Sequence, residues 1–443
     1  MASVPDIRDI HRTLDLALRV GEVLLSSGAG AADVAATMHS VAFGCGLRGV
    51  DVDVTFTALS MSYQENWDEP PLMHVRHVKH RDTDYADLTE VDHLVQDLLR
   101  GEIDRAEARN RLARVVSSGH RIPRWAVTLG WGVMAAAVGL LLGGDEVVCG
   151  IAFVAAAGID QLRRTMSRRR LPDFYQQVAG GLFATLLAVG AAATDVQVAP
   201  SLVVSAGIIM LLSGVGFMGA VQDALTGYYI TSGARILEVM LATAGIIAGV
   251  SGGLTVGQML GVDLGRLEPG VTTGWFDLPV AVFGAGLCAA AFAFASYAPP
   301  RCLLPIALIG ALAEVVFWVV DVQEIGRAWA TALAAVVIGV VSYSVAAWVR
   351  VPPLVVVVSG IVPLLPGLAI YRGLALMSSG EGTGLLGLVT AAGAAISLAS
   401  GVILGEYVAQ PLRREVRRLE GRLAGPRLVG PIRARAVKRE QHT

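Results

Sequence analysis

The sequence lacks the features by which many soluble enzymes are recognised. Only two of its 35 basic residues are lysines, Lys79 and Lys438, and neither follows a GxxxxG segment, which excludes a phosphate-binding loop. No HExxH motif is present, and none of the eight histidines lies in an apolar stretch, which excludes an intramembrane zinc protease of that type. Any ATP-driven work must therefore come from another chain.

Cysteine is equally scarce. The four cysteines are Cys45, Cys149, Cys288 and Cys302. They are far apart and form no CxxC pair, so neither a disulfide framework nor a zinc site is predicted, and no metal or other cofactor is expected. The segment HVRHVKH suggests a metal ligand set, but successive strand residues alternate between faces, so His74 and His77 would point in opposite directions. We favour a water-facing edge strand there.

Charge is scarce in the middle of the chain. Residues 125–410 contain only 26 charged side chains, whereas residues 1–124 hold 14 basic and 19 acidic residues and residues 411–443 hold 10 basic and 3 acidic ones. Together with 54% hydrophobic residues and a mean hydropathy of +0.60, this predicts a membrane protein with a soluble front domain. The first residues show no apolar core before a cleavage site, so we expect no secretory signal and a cytoplasmic front domain.

Ten stretches after Pro123 are apolar and long enough, or nearly so, to cross a bilayer, which takes roughly 20 residues. They are 125–142, 147–162, 174–194, 200–220, 232–252, 278–297, 302–320, 328–348, 353–371 and 383–408. The second stretch is short and could form a hairpin with its neighbour, and this is the main alternative to a count of ten membrane spans. The predicted fold is a polytopic α-helical membrane protein with about ten transmembrane helices, preceded by a small α+β cytoplasmic domain.

Arginine accumulates on one side of these spans. Residues 163–170 contain five arginines between spans two and three, whereas the turn between spans one and two reads GGDE. By the positive-inside rule the arginine-rich side is cytoplasmic, and the alternation of spans puts Arg301, Arg350 and the basic tail on that side. We therefore predict a multi-pass protein with both termini in the cytoplasm.

The front domain combines helical and strand patterns. Helices are predicted over 14–26, 32–43, 88–99 and 104–116, the last with Asp104 as its N-cap. β-branched residues alternate with others in 50–63 and 72–79, as they do in strands. About 120 residues are enough to bury a core of their own.

An internal repeat is visible in the membrane part. With an offset of 153 residues, GIIMLLSG at 207–214 aligns on GIVPLLPG at 360–367, with five identities in eight. Each copy is the fourth span of a group of five, and because five is odd the two five-helix repeats must be inverted relative to each other. The predicted divisions are the cytoplasmic domain 1–122, the first repeat 123–255, a Gly-rich extracytoplasmic linker 256–277, the second repeat 278–410 and a basic cytoplasmic tail 411–443.

The aligned segments also predict a pair of broken helices near mid-membrane. Proline removes a backbone donor and glycine loosens the turn, and the freed backbone groups are tolerated beside a cavity, where a helix N-terminus can bind an amino-acid carboxylate. Asp223, at the cytoplasmic mouth, would bind the substrate ammonium. The alternative is a kink filled by neighbouring side chains. The candidate substrate-binding residues are Ser213, Gly214, Gly216, Asp223, Pro363, Pro366 and Gly367.

Carboxylates inside the spans are candidates for proton coupling, because an ionised side chain there costs a few kcal/mol unless it is partnered or protonated. Glu314 lies mid-span and is the leading candidate, followed by Asp223 and Glu238. Glu238 could instead pair with Arg235. Glu406 is expected near a helix end that faces water.

Several segments resemble the threonine/serine exporter family. In the front domain they are ALRVGEVLLSSGAGAADVAATMHSVAFGCGL, VDVDVTFTALSMS and VRHVKHRDTDYADLTEVDHLVQDLLRGEIDRAEARNRL, and in the membrane part GVGFMGAVQDALTGYYITSGARILEVM and PPLVVVVSGIVPLLPGLAIYRGL. The resemblance implies a bacterial inner-membrane exporter of threonine and serine with ten spans, driven by the proton motive force. The family's fourth-span aspartate falls on Asp223, whereas Ser213 and Gly214 stand where the family tends to have Pro-Gly.

The leading prediction is a secondary exporter of small hydroxy amino acids by proton-coupled antiport, a transporter and not an enzyme. Its expected partners are the amino-acid substrate, protons and the lipid bilayer, with no nucleic acid, and a homo-oligomer is left open. A membrane-embedded hydrolase or a ligand sensor that uses the front domain is the alternative, although that domain has no GxSxG motif and no phosphate loop. Paired breaks in inverted halves favour transport.

Overall fold

A computed structural model describes residues 6–65, 68–79, 83–120, 122–194, 200–212, 214–262, 278–365, 369, 373, 376 and 383–414. The front domain contains α1 (Ile7–Ser26), α2 (Ala31–Gly44), β1 (Val50–Thr55), β2 (Ala58–Tyr63), β3 (Leu72–His77), α3 (Tyr85–Arg100) and α4 (Arg105–Ser117). The membrane part contains α5 (Arg124–Leu141), α6 (Glu146–Arg168), α7 (Asp173–Ala192), α8 (Pro200–Gly207), α9 (Gly214–Leu225), α10 (Tyr229–Met259), α11 (Leu278–Ala295), α12 (Pro300–Asp321), α13 (Arg327–Val349), α14 (Pro353–Ile361) and α15 (Thr383–Arg414).

The front domain has the order of helices and strands that its sequence pattern predicts. Asp104 caps α4, and its carboxylate accepts a hydrogen bond from the N–H of Glu107. Strands β1 and β2 form an antiparallel hairpin, and β3 pairs with β2, so β3 lies at the edge of the sheet. The edge-strand interpretation is confirmed, because His74 is partly buried while His77 is exposed.

The core of the front domain lies between the helices and the sheet. Alternate residues of β2, Leu59, Met61 and Tyr63, are buried, as expected for a strand with one covered face. Helix α1 packs on β2 and β3, and α2 packs on β1. Leu14 and Leu24 of α1 are at most 1% exposed, which shows how completely this face is covered.

Within the described residues, seven helices are long and apolar enough to cross a membrane, and the bent pair α8 and α9 makes an eighth span if it is counted as one. The seven are α5, α7, α10, α11, α12, α13 and α15. Helix α6 is 23 residues long, more than the stretch predicted for span two, but its last turns carry arginines. Helix α14 and the turn that follows it form a shorter apolar segment, Pro353–Leu364. The chain is therefore a polytopic helical membrane protein, and the count of ten stays a prediction.

The two halves of the membrane part pack in the same order. In the first half α5 packs on α6, α6 on α7, and α7 on α10, while α8 packs on both α6 and α7. In the second half α11, α12, α13, α15 and α14 make the corresponding set of contacts. The halves meet along α5 and α11, and also where α9 packs on α15. This common order supports the internal repeat, whose inversion remains a prediction.

Glycines let the third and fifth helices of each half approach closely. A Cβ atom placed on Gly249 of α10 would lie 2.1 Å from the carbonyl oxygen of Val178 in α7. A Cβ atom on Gly405 of α15 would lie 2.5 Å from the carbonyl oxygen of Val336 in α13. Because lipid tails are as apolar as side chains, close van der Waals packing of this kind is a main source of helix association in membranes.

We predict that Gly249→Ala lowers the melting temperature of the protein in detergent. The added methyl group cannot fit without separating α7 from α10, and overpacking typically costs about 1–3 kcal/mol. Gly252→Ala on the same helix is the control, because no neighbouring atom of the described residues lies within 4 Å of its Cβ position. Equal melting temperatures for the two variants would contradict the close contact between α7 and α10.

Candidate functional site

Both predicted helix breaks occur, and they occur at aligned positions. After α8 comes a 3-10 turn, Ile209–Leu211, and then Leu212 in an extended conformation with φ −68° and ψ 121°. After α14 comes a 3-10 turn, Val362–Leu364, and then Leu365 with φ −65° and ψ 135°. The paired positions differ by 153, the offset of the sequence repeat. The two copies therefore share a local backbone structure as well as a sequence.

Three candidate substrate-binding residues lie at these breaks in the described part of the chain. Gly214 is the first residue of α9 and is buried, and Gly216, two residues later, is exposed. Pro363 lies inside the second 3-10 turn and is partly exposed. The axes of α8 and α9 meet at 51°, so the first break turns the chain by more than a gentle curve. Ser213, Pro366 and Gly367 lie outside the described residues.

Asp223, the fourth described candidate, is covered by the front domain. Its side chain is fully buried, and its Oδ2 atom lies 2.7 Å from Nη1 of Arg235 in α10. Its Oδ1 atom accepts a 2.9 Å hydrogen bond from the N–H of Ala31, the first residue of α2. In this conformation a helix N-terminus of the front domain therefore covers Asp223, and the role of this residue at the cytoplasmic mouth stays a prediction.

Arg235 makes its ion pair with Asp223 and also approaches the front domain. Its Nη2 atom donates to the carbonyl oxygen of Ala29 at 3.5 Å, and the residue is 7% exposed. Glu238, one turn further along α10, is exposed. The arginine and the N-terminus of α2 both compensate the buried charge of Asp223. Glu238 is thus not one of the buried carboxylates of the membrane part.

Helix α3 makes a second contact between the front domain and the membrane part. Tyr85, its first residue, is 1% exposed, and its N–H donates to the carbonyl oxygen of Ser296 at 2.9 Å. The ring meets Phe292 of α11 edge-on, with 6.3 Å between centroids, and the hydroxyl lies beside Ser359 of α14. The front domain therefore contacts the first half through α2 and the second half through α3.

The turns touched by the front domain all belong to the side that the arginine pattern assigns to the cytoplasm. Phe56 donates its N–H to Oγ1 of Thr231, just after the turn between α9 and α10, at 3.0 Å. A ring nitrogen of His93 lies 3.1 Å from the carbonyl oxygen of Arg350, between α13 and α14. The position of the front domain thus agrees with the predicted alternation of spans.

Two further buried carboxylates escaped the sequence-based selection. Asp33, in the first turn of α2, is 2% exposed, and Glu406, in α15, is 1% exposed. The expectation that Glu406 faces water is wrong, because α9 and α13 both pack against α15. The available signal was the four-residue spacing of Gly401 and Gly405, which marks this end of α15 as closely packed. Asp33 resembles any acidic residue in a first helical turn, so no signal set it apart.

Asp33, Asp223, Arg235 and Glu406 form a group that we call the seam cluster. The Cβ position of Gly30 lies 3.5 Å from Oδ1 of Asp223 and 3.7 Å from Oδ2 of Asp33. Asp33 in turn lies close enough to Glu406 to act on it electrostatically. The cluster therefore joins the front domain to α9, α10 and α15.

The surroundings of the seam cluster are electronegative. Tyr228 lies in the turn between α9 and α10, outside the spans, and is half-buried. Burial raises the pKa of the Tyr228 hydroxyl, and the nearby carboxylates of Asp53, Asp223 and Asp33 act in the same direction. Among the described residues, one arginine thus stands beside several acidic groups.

Glu314 lies apart from the seam cluster. It is in α12, partly buried, and close enough to the fully buried Cys288 of α11 to interact with it electrostatically. Fourteen residues separate it from Pro300 at the start of the helix, about 21 Å at 1.5 Å per residue. It forms no hydrogen bond or ion pair with another residue of the described ranges. Glu314 thus lies inside the predicted span 302–320, seven residues before α12 ends at Asp321, and its mid-membrane depth stays a prediction.

We predict that Asp223→Asn and Arg235→Gln each lower the melting temperature and make the segment between α4 and α5 more sensitive to trypsin. Removing one partner of a buried ion pair leaves the other charge uncompensated, which typically costs about 3–5 kcal/mol. The double variant should lose less than the sum of the two single losses. Arg114→Gln is the control, since its pair with Glu107 is exposed. Strict additivity would show that the two side chains do not depend on each other.

Comparisons with known proteins agree with this architecture. One family model for threonine/serine exporters matches residues 15–257, and a second, described as "Threonine/Serine exporter, ThrE", matches residues 281–408. A Mycobacterium tuberculosis protein named a probable threonine/serine exporter is 38% identical over 99% of this chain and 85% of its own length. The threonine/serine exporter of Corynebacterium glutamicum is 34% identical over 93% of this chain and 85% of its own length. No solved structure gives a significant match. The chain belongs to the threonine/serine exporter family and is a multi-pass membrane transporter, not an enzyme.

Proposed function

We propose that this protein exports threonine and serine from the bacterial cytoplasm as a secondary transporter, by antiport with protons. The two relatives, both named for threonine and serine export, support the substrate class. The observation that carries the mechanism is the pair of helix breaks with equal backbone conformations in the two halves. Paired interruptions of this kind are a common form of substrate site in secondary transporters.

The breaks are suited to an amino acid because they free backbone groups of both polarities. The first N–H groups of α9, from Gly214 onward, have no partner within their own helix and carry partial positive charge, which suits a carboxylate. Carbonyl groups in the last turn of a helix also lack some helical partners, and those near the ends of α8 and α14 that the 3-10 turns do not use can accept hydrogen bonds from an ammonium or a hydroxyl group. Ser213, Gly216, Pro363, Pro366 and Gly367 complete the proposed substrate site.

Asp223 enters this proposal in a changed role. In the conformation described above it is paired with Arg235 and bonded to Ala31, so it can meet a substrate ammonium only after the front domain withdraws. Release of α2 would expose Asp223 on the side from which an exported amino acid arrives. Its binding and coupling roles therefore depend on the position of the front domain.

Glu314 is the proposed proton carrier. A carboxylate in the middle of a span is costly when ionised and unpartnered, so binding and release of a proton can accompany each change of conformation. Within the described ranges it makes no hydrogen bond or ion pair, which distinguishes it from Asp223, whose charge is compensated. Glu238 is the weaker candidate, because it is exposed.

Counterflow in proteoliposomes tests the proposed function directly. Vesicles that contain the purified protein and unlabelled threonine should accumulate radiolabelled threonine from outside, because a carrier exchanges substrate in both directions. Serine should compete with the labelled threonine, whereas lysine should not. Vesicles without any exchange would disprove carrier activity for these amino acids.

We predict that Pro366→Ala combined with Gly367→Leu abolishes counterflow without reducing the amount of protein in the membrane. The two changes should restore a continuous helix after the 3-10 turn Val362–Leu364 and fill the adjacent space. Gly393→Ala in α15 is a control, because its Cβ position has no neighbour within 4 Å in the part of the chain that the structure describes. Undiminished counterflow by a well-expressed double variant would reduce the second break to a structural kink.

We predict that Glu314→Gln retains threonine counterflow but loses the acceleration of export by a pH gradient. Glutamine keeps the size and hydrogen-bonding capacity of the side chain and fixes it in a neutral state, so a proton can no longer bind and leave. Glu324→Gln, in the exposed turn after α12, is the matched control. The coupling role of Glu314 is ruled out if the variant still concentrates threonine in a way that depends on the pH gradient.

A further inference from the structure

Positive charge is concentrated at the end of α6 and in the turn that leads to α7. The arginines there are Arg163, Arg164, Arg168, Arg169 and Arg170. Arg164 forms an ion pair with Asp160 one turn earlier in the same helix. The last three are exposed, and within the described ranges they form no ion pair. Their charges therefore face outward and are available to a partner of opposite sign.

Exposed apolar and aromatic side chains follow these arginines directly. They belong to Leu171, Phe174 and Tyr175, and Tyr175 is 56% exposed. The two rings meet edge-on, with 5.5 Å between their centroids. Asp173, the one acidic residue in this turn, accepts a hydrogen bond from Gln176 at 3.1 Å. We call the exposed group the basic corner, and its members are Arg168, Arg169, Arg170, Leu171, Phe174 and Tyr175.

The basic corner lies where a membrane helix begins. Helix α7 is long and apolar enough to cross a bilayer, so its first turn is expected at a boundary between lipid and water. Nη2 of Arg164 donates to the carbonyl oxygen of Arg124 at 3.3 Å, which brings the first turn of α5, with its exposed Trp125, to the same level. Tryptophan and tyrosine are typical of this boundary. We therefore expect the three exposed arginines at the level of lipid headgroups.

The backbone of Arg170 is an independent observation. Its φ is 56°, in the left-handed region. Its N–H donates to the carbonyl oxygen of Ser167, and the N–H of Leu171 donates to that of Met166, so these bonds close the end of α6. Glycine is the usual residue at a helix end of this shape, because a side chain there strains the backbone. Local backbone preference therefore does not account for an arginine at position 170.

We propose that the basic corner binds the headgroup of an anionic phospholipid on the arginine-rich side of the membrane. The guanidinium groups of Arg168, Arg169 and Arg170 bind the phosphate oxygens, whose geometry suits the planar donors of arginine. The three apolar side chains pack against the acyl chains. This apolar part favours a lipid over a soluble polyanion, because it continues into a membrane helix. The proposal does not rest on threonine export.

A lipid at this corner acts on the helices that support the first break. Helix α8 packs on both α6 and α7, and the 3-10 turn and extended residue of the break follow α8 directly. A headgroup bound across the turn holds the end of α6 against the start of α7. Because the lipid binds the folded state, it should raise the stability of the protein.

The test measures the melting temperature of the full-length protein in a neutral detergent with added phosphatidylglycerol or phosphatidylcholine. Both lipids have a phosphate and two acyl chains, but only phosphatidylglycerol has a net negative charge. The variants are Arg168→Gln combined with Arg169→Gln, and Arg170→Gly alone. Arg327→Gln is the matched control, because it removes a single exposed arginine beside an exposed aromatic residue, Trp329, at the start of α13.

Phosphatidylglycerol should raise the melting temperature of the wild type on the order of 3 °C more than phosphatidylcholine does. About 0.5 M NaCl should reduce this difference by screening the charges. The double variant should lose most of the difference, and the control should keep it. Without phosphatidylglycerol, Arg170→Gly should melt no lower than the wild type, because glycine suits the backbone, yet it should gain less from the lipid.

Three results would overturn the proposal. The first is an equal effect of the two lipids on the wild type. The second is a full response to phosphatidylglycerol in the double variant and in Arg170→Gly. The third is an equal rise of the wild type with inorganic phosphate in place of the lipid, because the corner would then bind a free anion. If one variant does not fold, the other decides the outcome.

Discussion

The buried ion pair between Asp223 and Arg235 holds together three parts of the molecule. Asp223 lies in the last turn of the broken fourth span, Arg235 lies in the second turn of the long fifth helix, and the N–H of Ala31 brings the front domain to the same carboxylate. The buried charges of Asp223 and Arg235 stabilise each other, because removing either one leaves the other without compensation. The position of the front domain and the packing of α9 on α10 therefore depend on the same buried charges.

The front domain contacts both halves of the membrane part. Its α2 rests on the end of α9, and its α3 places Tyr85 against α11 and α14. Alternating access moves one repeat against the other around a fixed site. Under the proposed transport mechanism, such a movement should change at least one of these two contacts. In the described conformation it covers the side from which an exported amino acid would enter.

The internal repeat links local sequence to mechanism. Two segments 153 residues apart have the same helix, 3-10 turn and extended residue, and their neighbouring helices pack in the same order. The sequences of the two copies differ at this point: Ser213 and Gly214 follow Leu212 in one, and Pro366 and Gly367 follow Leu365 in the other. A shared backbone with different side chains suits a substrate whose two ends differ in charge.

The sequence by itself determined the features that depend on nearby residues. Apolar runs predicted the membrane helices, alternation predicted the strands of the front domain, Asp104 marked a helix start, and the repeated GI..LL.G pattern located both breaks. Each of these features follows from local backbone preferences or from the cost of exposing apolar surface to water. Short segments of sequence are enough to reveal both effects.

Only the tertiary structure decided which charges meet. Ala31 and Asp223 are 192 positions apart, and Asp33 and Glu406 lie in different domains, so no spacing or periodicity connected them. The sequence predicted that Glu406 faces water, because its burial depends on contacts of α15 with α9 and α13 that the sequence does not show. Similarly, Glu238 lies one turn from Arg235, yet Arg235 forms its ion pair with Asp223. Compensation of buried charge is a property of three-dimensional neighbourhoods, which is why the pairing at this seam could not be obtained from the sequence alone.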